Sequence, residues 1–390
     1  METEQQKPKI NWYRSPVSRE QLRELNQRSD FKGFLQTSGF LGLLALTGSA
    51  ACFAAGRLPW PLVVLLFFFH GMCWIFLRDG IHELVHNSVF KTKFLNRVFL
   101  RIFSFLTWFN PYQGWASHVE HHKYTLHPPD DLEVVLPLKY TLRWFLLSGF
   151  LLSAFVNPLG LWRTLCNTVM MACGKLQGPW ENALFAAADA RERRRWFNWA
   201  RILLVGHATI IIVAVVMRWW LLPVVITLAP FYGGWLYFLC NGTQHAGLQD
   251  NVPDFRLCCR TITLNPFFGF LYWHVNYHTE HHMYAAVPCY NLRKLHALIK
   301  PDLPACPRGL WEAWKQIITI LKRQEQDPKY QYVPELPTPL RVVDPHYGPN
   351  GLGQGRDEGY GEIEADDSLV RGSPQIICNV GPYKTNVERP

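Results

Sequence analysis

Two short histidine clusters carry the clearest chemical signal in this chain. His118-Val119-Glu120-His121-His122 and His278-Thr279-Glu280-His281-His282 share the spacing H-x-x-H-H at well-separated points of the sequence. A third pair, His82 and His86, precedes them. On a helix, positions i, i+3 and i+4 lie on one face. Each cluster is therefore expected to point three imidazoles at one spot. Imidazole suits iron, zinc, copper and nickel. The pattern reads as a polyhistidine metal site assembled from distant parts of the chain.

The elements that must position these histidines are apolar. Four stretches, about 34–56, 58–77, 202–217 and 219–240, are candidate membrane spans, each of which needs roughly 20 apolar residues. They form two hairpins, with Arg57 and Arg218 in the short turns and Trp219 and Trp220 at the interface. Lys and Arg crowd the N-terminus and the centre, where Arg191, Arg193, Arg194 and Arg195 precede the third span. By the positive-inside rule, both termini and the centre face the cytosol. His82 follows the second span by five residues and His245 follows the fourth by five. That adds about 7.5 Å of helix in each case, so both would stand at one height on one membrane face. His70 and His207 fall inside spans and read as buried structural groups.

Residues 94–109, interrupted by Arg97 and Arg101, read as an interfacial amphipathic helix. Residues 144–156 are too short to span and are taken as interfacial too. The expected fold class is an all-α integral membrane protein. It has four transmembrane helices in two hairpins and a cytosolic helical cap that carries the histidines. Residues 1–33 form a polar cytosolic segment, 34–323 the membrane domain, and 324–390 a loosely ordered tail rich in Pro and Gly.

Composition fits this division. The 390 residues have a mean hydropathy near zero, but the apolar ones are segregated into runs. The net charge of +9 flanks those runs and comes with no nucleic-acid motif. No nucleic-acid partner is expected. The ten cysteines form no C-x-x-C and read as reduced packing thiols. The polar first 30 residues give no expectation of a cleavable signal peptide.

A competing motif is His82-Glu83-Leu84-Val85-His86, which matches the H-E-x-x-H signature of zinc metalloproteases with Glu83 as base. It leaves six clustered histidines unexplained, where a single zinc needs one more ligand. So many ligands argue for two metals. A non-catalytic metal transporter is the weaker rival, because transporters place polar groups at mid-membrane. His296 and His346 read as local or surface groups, and His127, beside Pro128-Pro129-Asp130-Asp131, is intermediate and left outside the ligand set.

At these residues the chain resembles the membrane-bound fatty acid desaturases. That superfamily has three histidine boxes, here His82/His86, His118/His121/His122 and His278/His281/His282, and an N-x-x-x-H element after the last span, here Asn241-Gly242-Thr243-Gln244-His245. The similarity covers roughly residues 35 to 305. Related lipid and sphingolipid hydroxylases, sphingolipid desaturases and carotenoid oxygenases share the pattern. The third box opens with His278, unlike that of front-end desaturases, and there is no His-Pro-Gly-Gly haem element.

The resemblance implies two iron ions held by His82, His86, His118, His121, His122, His245, His278, His281 and His282, with Asn241 acting directly or through water. Ligating imidazoles need partners for their second ring nitrogen; Glu83, Glu120 and Glu280, within or beside the boxes, Asp130 and Asp131 close by, and His274, four residues before His278, are the candidates by position. The resemblance further implies O2 as co-substrate and a long-chain acyl lipid as substrate, with electrons from cytochrome b5 or ferredoxin and its reductase. The setting would be the bacterial inner membrane or the endoplasmic reticulum.

Overall fold

The computed structural model describes residues 9–133, 142–145, 155–186 and 188–337. Every regular element among them is helical; extended pairing is limited to isolated bridges. The helices are α1 (Arg19–Leu25), α2 (Asp30–Ala54), α3 (Trp60–Trp74), α4 (Leu77–Val85), α5 (Lys93–Leu106) and α6 (Pro111–Tyr124). Next come α7 (Leu142–Phe145), α8 (Pro158–Ala172), α9 (Pro179–Ala186), α10 (Ala190–Val216), α11 (Leu222–Val225) and α12 (Trp235–Asn241). The series ends with α13 (Phe255–Cys258), α14 (Pro266–Leu271), α15 (His278–Met283), α16 (Cys289–Ile299) and α17 (Gly309–Gln326).

Three helical stretches are long and apolar enough to cross a membrane: Asp30–Ala54, Trp60–Val85 and Ala190–Val216. The first is α2, and the second runs from α3 through α4. Ser29 caps α2, and its backbone N–H at position 32 is bound by the Ser29 side chain. Asp189 caps α10 in the same way, and the arginine-rich flank forms that helix's first turns.

The expected fourth span at 219–240 is broken into α11, a 3-10 turn at Ala229–Phe231 and α12. The sequence gives the reason. Pro223 and Pro230 lack an N–H, and Gly233 has a left-handed φ of 74°. A Cβ at Gly233 would stand 2.5 Å from the Phe68 carbonyl oxygen, and one at Gly71 would stand 2.2 Å from the Tyr232 ring. Two facing glycines thus let this segment lie directly on the backbone of α3.

Broken backbone packed against apolar helices must find its partners within the protein. Asn157 N donates to Phe231 O and Gly233 N donates to Phe155 O. His70 Nε2 lies 2.9 Å from Val225 O, and His207 Nδ1 lies 3.2 Å from Thr227 Oγ1. Trp108 Nε1 donates to Thr227 O. The two in-span histidines therefore bind the broken segment, which gives their expected structural role a specific form.

α5 occupies 93–106, where the interfacial helix was expected, and packs on α4 with Asn96, Leu100 and Phe103 inward. Most of residues 144–156 and all of the tail from 338 lie outside the described residues, as does His346. The expected domain limit at 323 falls within α17, whose Trp314, Ile317 and Leu321 pack with Ala246. A large core containing Phe76, Leu84, Phe90, Phe103, Tyr272, Trp273 and Val275 joins the spans to the helices that carry the histidines.

Candidate metal centre

Each histidine cluster sits where a local signal fixes a short helix or its end. His82 lies on α4, and His86 is that helix's C-cap. Asn96 binds both N and O of Phe90, closing the loop that follows. α6 starts at Pro111 after an Asn110 cap and carries His118, His121 and His122. Trp273 and His274 both have positive φ, which makes the sharp turn before α15 and its His278, His281 and His282. His245 lies in the turns after α12.

These nine histidines converge into two groups. One contains His82, His86, His118, His122 and His281; the other contains His121, His245, His278 and His282. Within each group the ligand-capable atoms all lie within 4.8 Å of one another. The expectation that each cluster serves one spot is corrected here. α6 gives its i and i+4 histidines to the first group and its i+3 histidine to the second, while α15 does the reverse. Helix geometry explains the division: with 3.6 residues per turn, i+4 lies about 40° from i on one side and i+3 about 60° on the other. Each helix thus straddles both groups.

The Nδ1 atoms face inward partners that fix ring orientation. His118 Nδ1 lies 3.1 Å from Glu133 and His121 Nδ1 lies 2.9 Å from Asp131. His245 Nδ1 lies 2.8 Å from the Cys258 carbonyl. His82 Nδ1 lies 3.0 Å from Glu83, which also approaches His281 Nδ1 at 3.5 Å. Thr125 Oγ1 donates to the His121 carbonyl and lies 3.1 Å from His282 Nδ1, so it accepts from that ring.

An ionised carboxylate or carbonyl only accepts. The Nδ1 atoms of His118, His121, His245 and His282 therefore carry the hydrogen, and the Nε2 of each neutral ring presents a lone pair. Three of these Nε2 atoms face other Nε2 atoms: His118 faces His86 at 2.9 Å and His122 at 3.0 Å, while His245 and His282 face His278 at 2.9 Å and 3.1 Å. Where both rings of a pair present lone pairs, the two repel unless a cation lies among them. Metal–imidazole bonds are about 2.0–2.1 Å, and two of them at right angles bring their nitrogens to about 3 Å. The donor set therefore fits transition-metal binding. Five nitrogens in one group exceed the four of a tetrahedral zinc site.

Electrostatics keep most of these rings neutral, as ligands must be. Burial, reinforced by neighbouring imidazoles, holds His118, His122, His278, His281 and His282 well below the usual histidine range. Burial brings His245 down to about 3. His121 differs: burial opposes its charge, but the Asp131 carboxylate outweighs it and raises the pKa.

The remaining expected residues are distributed as follows. Asn241 ends α12, where its Nδ2 donates to Tyr237 O and its Oδ1 accepts from Gln244. Glu280 is buried and bound by Thr261 and by His296, a histidine read from sequence as local structure. Glu120 pairs with Lys123 at 2.9 Å. Asp130 N donates to His127 O. His274 stays in the turn before α15, where burial brings it down to about 4. Sequence reasoning missed Glu133, Thr125 and the Cys258 carbonyl. Glu133 was findable as the third carboxylate of Asp130-Asp131-Leu132-Glu133; the other two leave no local signal.

The comparisons with known proteins bear on this site. The family model described as fatty acid desaturase matches residues 55–314, a stretch that contains all nine histidines. No curated protein matches the chain.

Proposed function

The chain belongs to the fatty acid desaturase family, and on that premise we propose that it is a membrane desaturase of long-chain acyl lipids using two histidine-bound irons. The observation that carries this reading is the pair of histidine groups, five nitrogens and four, built from the three boxes together with His245. The chemistry two bound irons supply is O2-dependent removal of two hydrogens from adjacent methylenes, with two external electrons and two protons completing the reduction of O2 to two waters.

The chain's own residues do the rest. His82, His86, His118, His122 and His281 hold one iron, and His121, His245, His278 and His282 hold the other. Asn241 completes the set, directly or through water. Asp131, Glu133, Thr125 and the Cys258 carbonyl keep the hydrogen on Nδ1 and leave Nε2 free to bind. Glu83 orients His82 and His281, and Glu280 steadies α15 through Thr261 and His296. Burial of the site excludes water from the reacting carbon. The catalytic face and both termini are cytosolic, where cytochrome b5 or ferredoxin delivers the electrons.

The test is lipid profiling after expression in a host with a defined fatty-acid pool, beside a His281→Ala control. A new double bond absent from the control is the expected result. A hydroxylated product would overturn desaturation in favour of a related hydroxylase.

A further inference from the structure

We propose that residues 12–15 form a strap that positions the four-nitrogen histidine group, by tying the ends of α6 and α15 to α13, whose Cys258 carbonyl binds His245. This rests on the metal-binding reading above. The segment lies outside the stretch the family model matches.

Trp12 Nε1 donates to Lys123 O at 3.0 Å, and Arg14 Nε donates to Met283 O at 2.8 Å. Lys123 and Met283 directly follow His122 and His282, in the last turns of α6 and α15. Carbonyls there have no partner within their own helix. The strap therefore fills two vacant acceptors, one on each H-x-x-H-H helix. It is itself fixed in place: Ser15 Oγ donates to Asp302 at 2.7 Å, and Ser15 O accepts from Tyr284 Oη at 2.7 Å.

The third attachment is α13. The Trp12 indole stacks on Phe255, with centroids 4.1 Å apart and planes 8° from parallel. Phe255 in turn lies 5.5 Å from the His282 ring. The Arg256 guanidinium sits 3.8 Å above the Tyr13 ring and pairs with Asp254 and Asp302. Cys258, at the far end of the same short helix, accepts from His245 Nδ1. One four-residue segment thus touches the supports of both His245 and His282.

The test uses the full-length protein loaded anaerobically with iron(II) and challenged with a strong chelator. Wild type is expected to hold two equivalents. In Trp12→Ala, one equivalent should leave roughly 10-fold faster, the scale on which lost orienting partners act, while the other keeps its wild-type rate. Trp12→Phe keeps the stack but loses the Nε1–H donor and should show a smaller acceleration of the same equivalent; it decides the matter if Trp12→Ala fails to fold. Unchanged release in both variants overturns the strap, as does equal acceleration of both equivalents, which would mean general loosening. A wild type that binds fewer than two equivalents overturns the metal reading itself.

Discussion

Replacing Asp131 with Asn removes one charge and no volume, which isolates the orienting role of the carboxylate. Asp131 Oδ2 accepts from His121 Nδ1 and Leu126 N, both at 2.9 Å, and Oδ1 accepts from Glu133 N at 3.0 Å. Asn can place its oxygen toward His121 and Leu126, but its NH2 then faces the Glu133 N–H. Flipped, it presents a donor to His121 Nδ1 and moves the ring hydrogen onto Nε2. The Asp131 side chain is fully buried, so solvent does not screen the loss. Hydrogen bonds to charged groups contribute about 1.5–3 kcal/mol and neutral ones about 0.5–1.5. The difference, about 1–2 kcal/mol, corresponds to roughly 5- to 30-fold in affinity. The assay is competition for iron(II) against a chelator of known affinity, with the thermal midpoint of the metal-free protein as control. Asp131→Asn should weaken one of two sites by that factor. Wild-type affinity at both sites, or equal loss at both, would refute the assignment of His121 to the four-nitrogen group.

Further outcomes follow from the same geometry. Glu133→Gln should weaken the five-nitrogen site less than Asp131→Asn weakens its own, because the Glu133 side chain is 30% exposed and partly screened; the same chelator competition measures it. Glu83→Gln should lower metal affinity at the five-nitrogen site by about 10-fold; loss of a peptidase activity with metal content intact would instead support a single-zinc protease. Gly71→Ala should lower the thermal midpoint in detergent. The new Cβ meets the Tyr232 ring at 2.2 Å, and overpacking of this kind costs about 1–3 kcal/mol.

Much of the site was legible in the sequence because metal ligation demands particular residue types at helical spacing. The nine histidines picked out by spacing, by position after the spans and by the family resemblance are the nine that converge. The apolar runs at 34–56, 58–77 and 202–217 correspond to the three long apolar helices, since hydropathy over about 20 residues is a local property. The run at 219–240 is as apolar, yet it is not one helix. Its prolines and glycines were visible, but the surface they fit, the backbone of α3 at Gly71, was not.

The sequence alone determined the identity of the histidine set, its apolar supports and its resemblance to a family, because composition and periodicity are written residue by residue. Tertiary structure alone decided the partition into five nitrogens and four. Each H-x-x-H-H helix must lie between two groups for its i+3 ring to serve one and its i and i+4 rings the other, and that placement depends on how α4, α6 and α15 pack. It also brought Thr125 to His282, the Cys258 carbonyl to His245 and Trp12 to Lys123. Such contacts join segments far apart in the chain and answer to no local pattern, so only the folded chain reveals them.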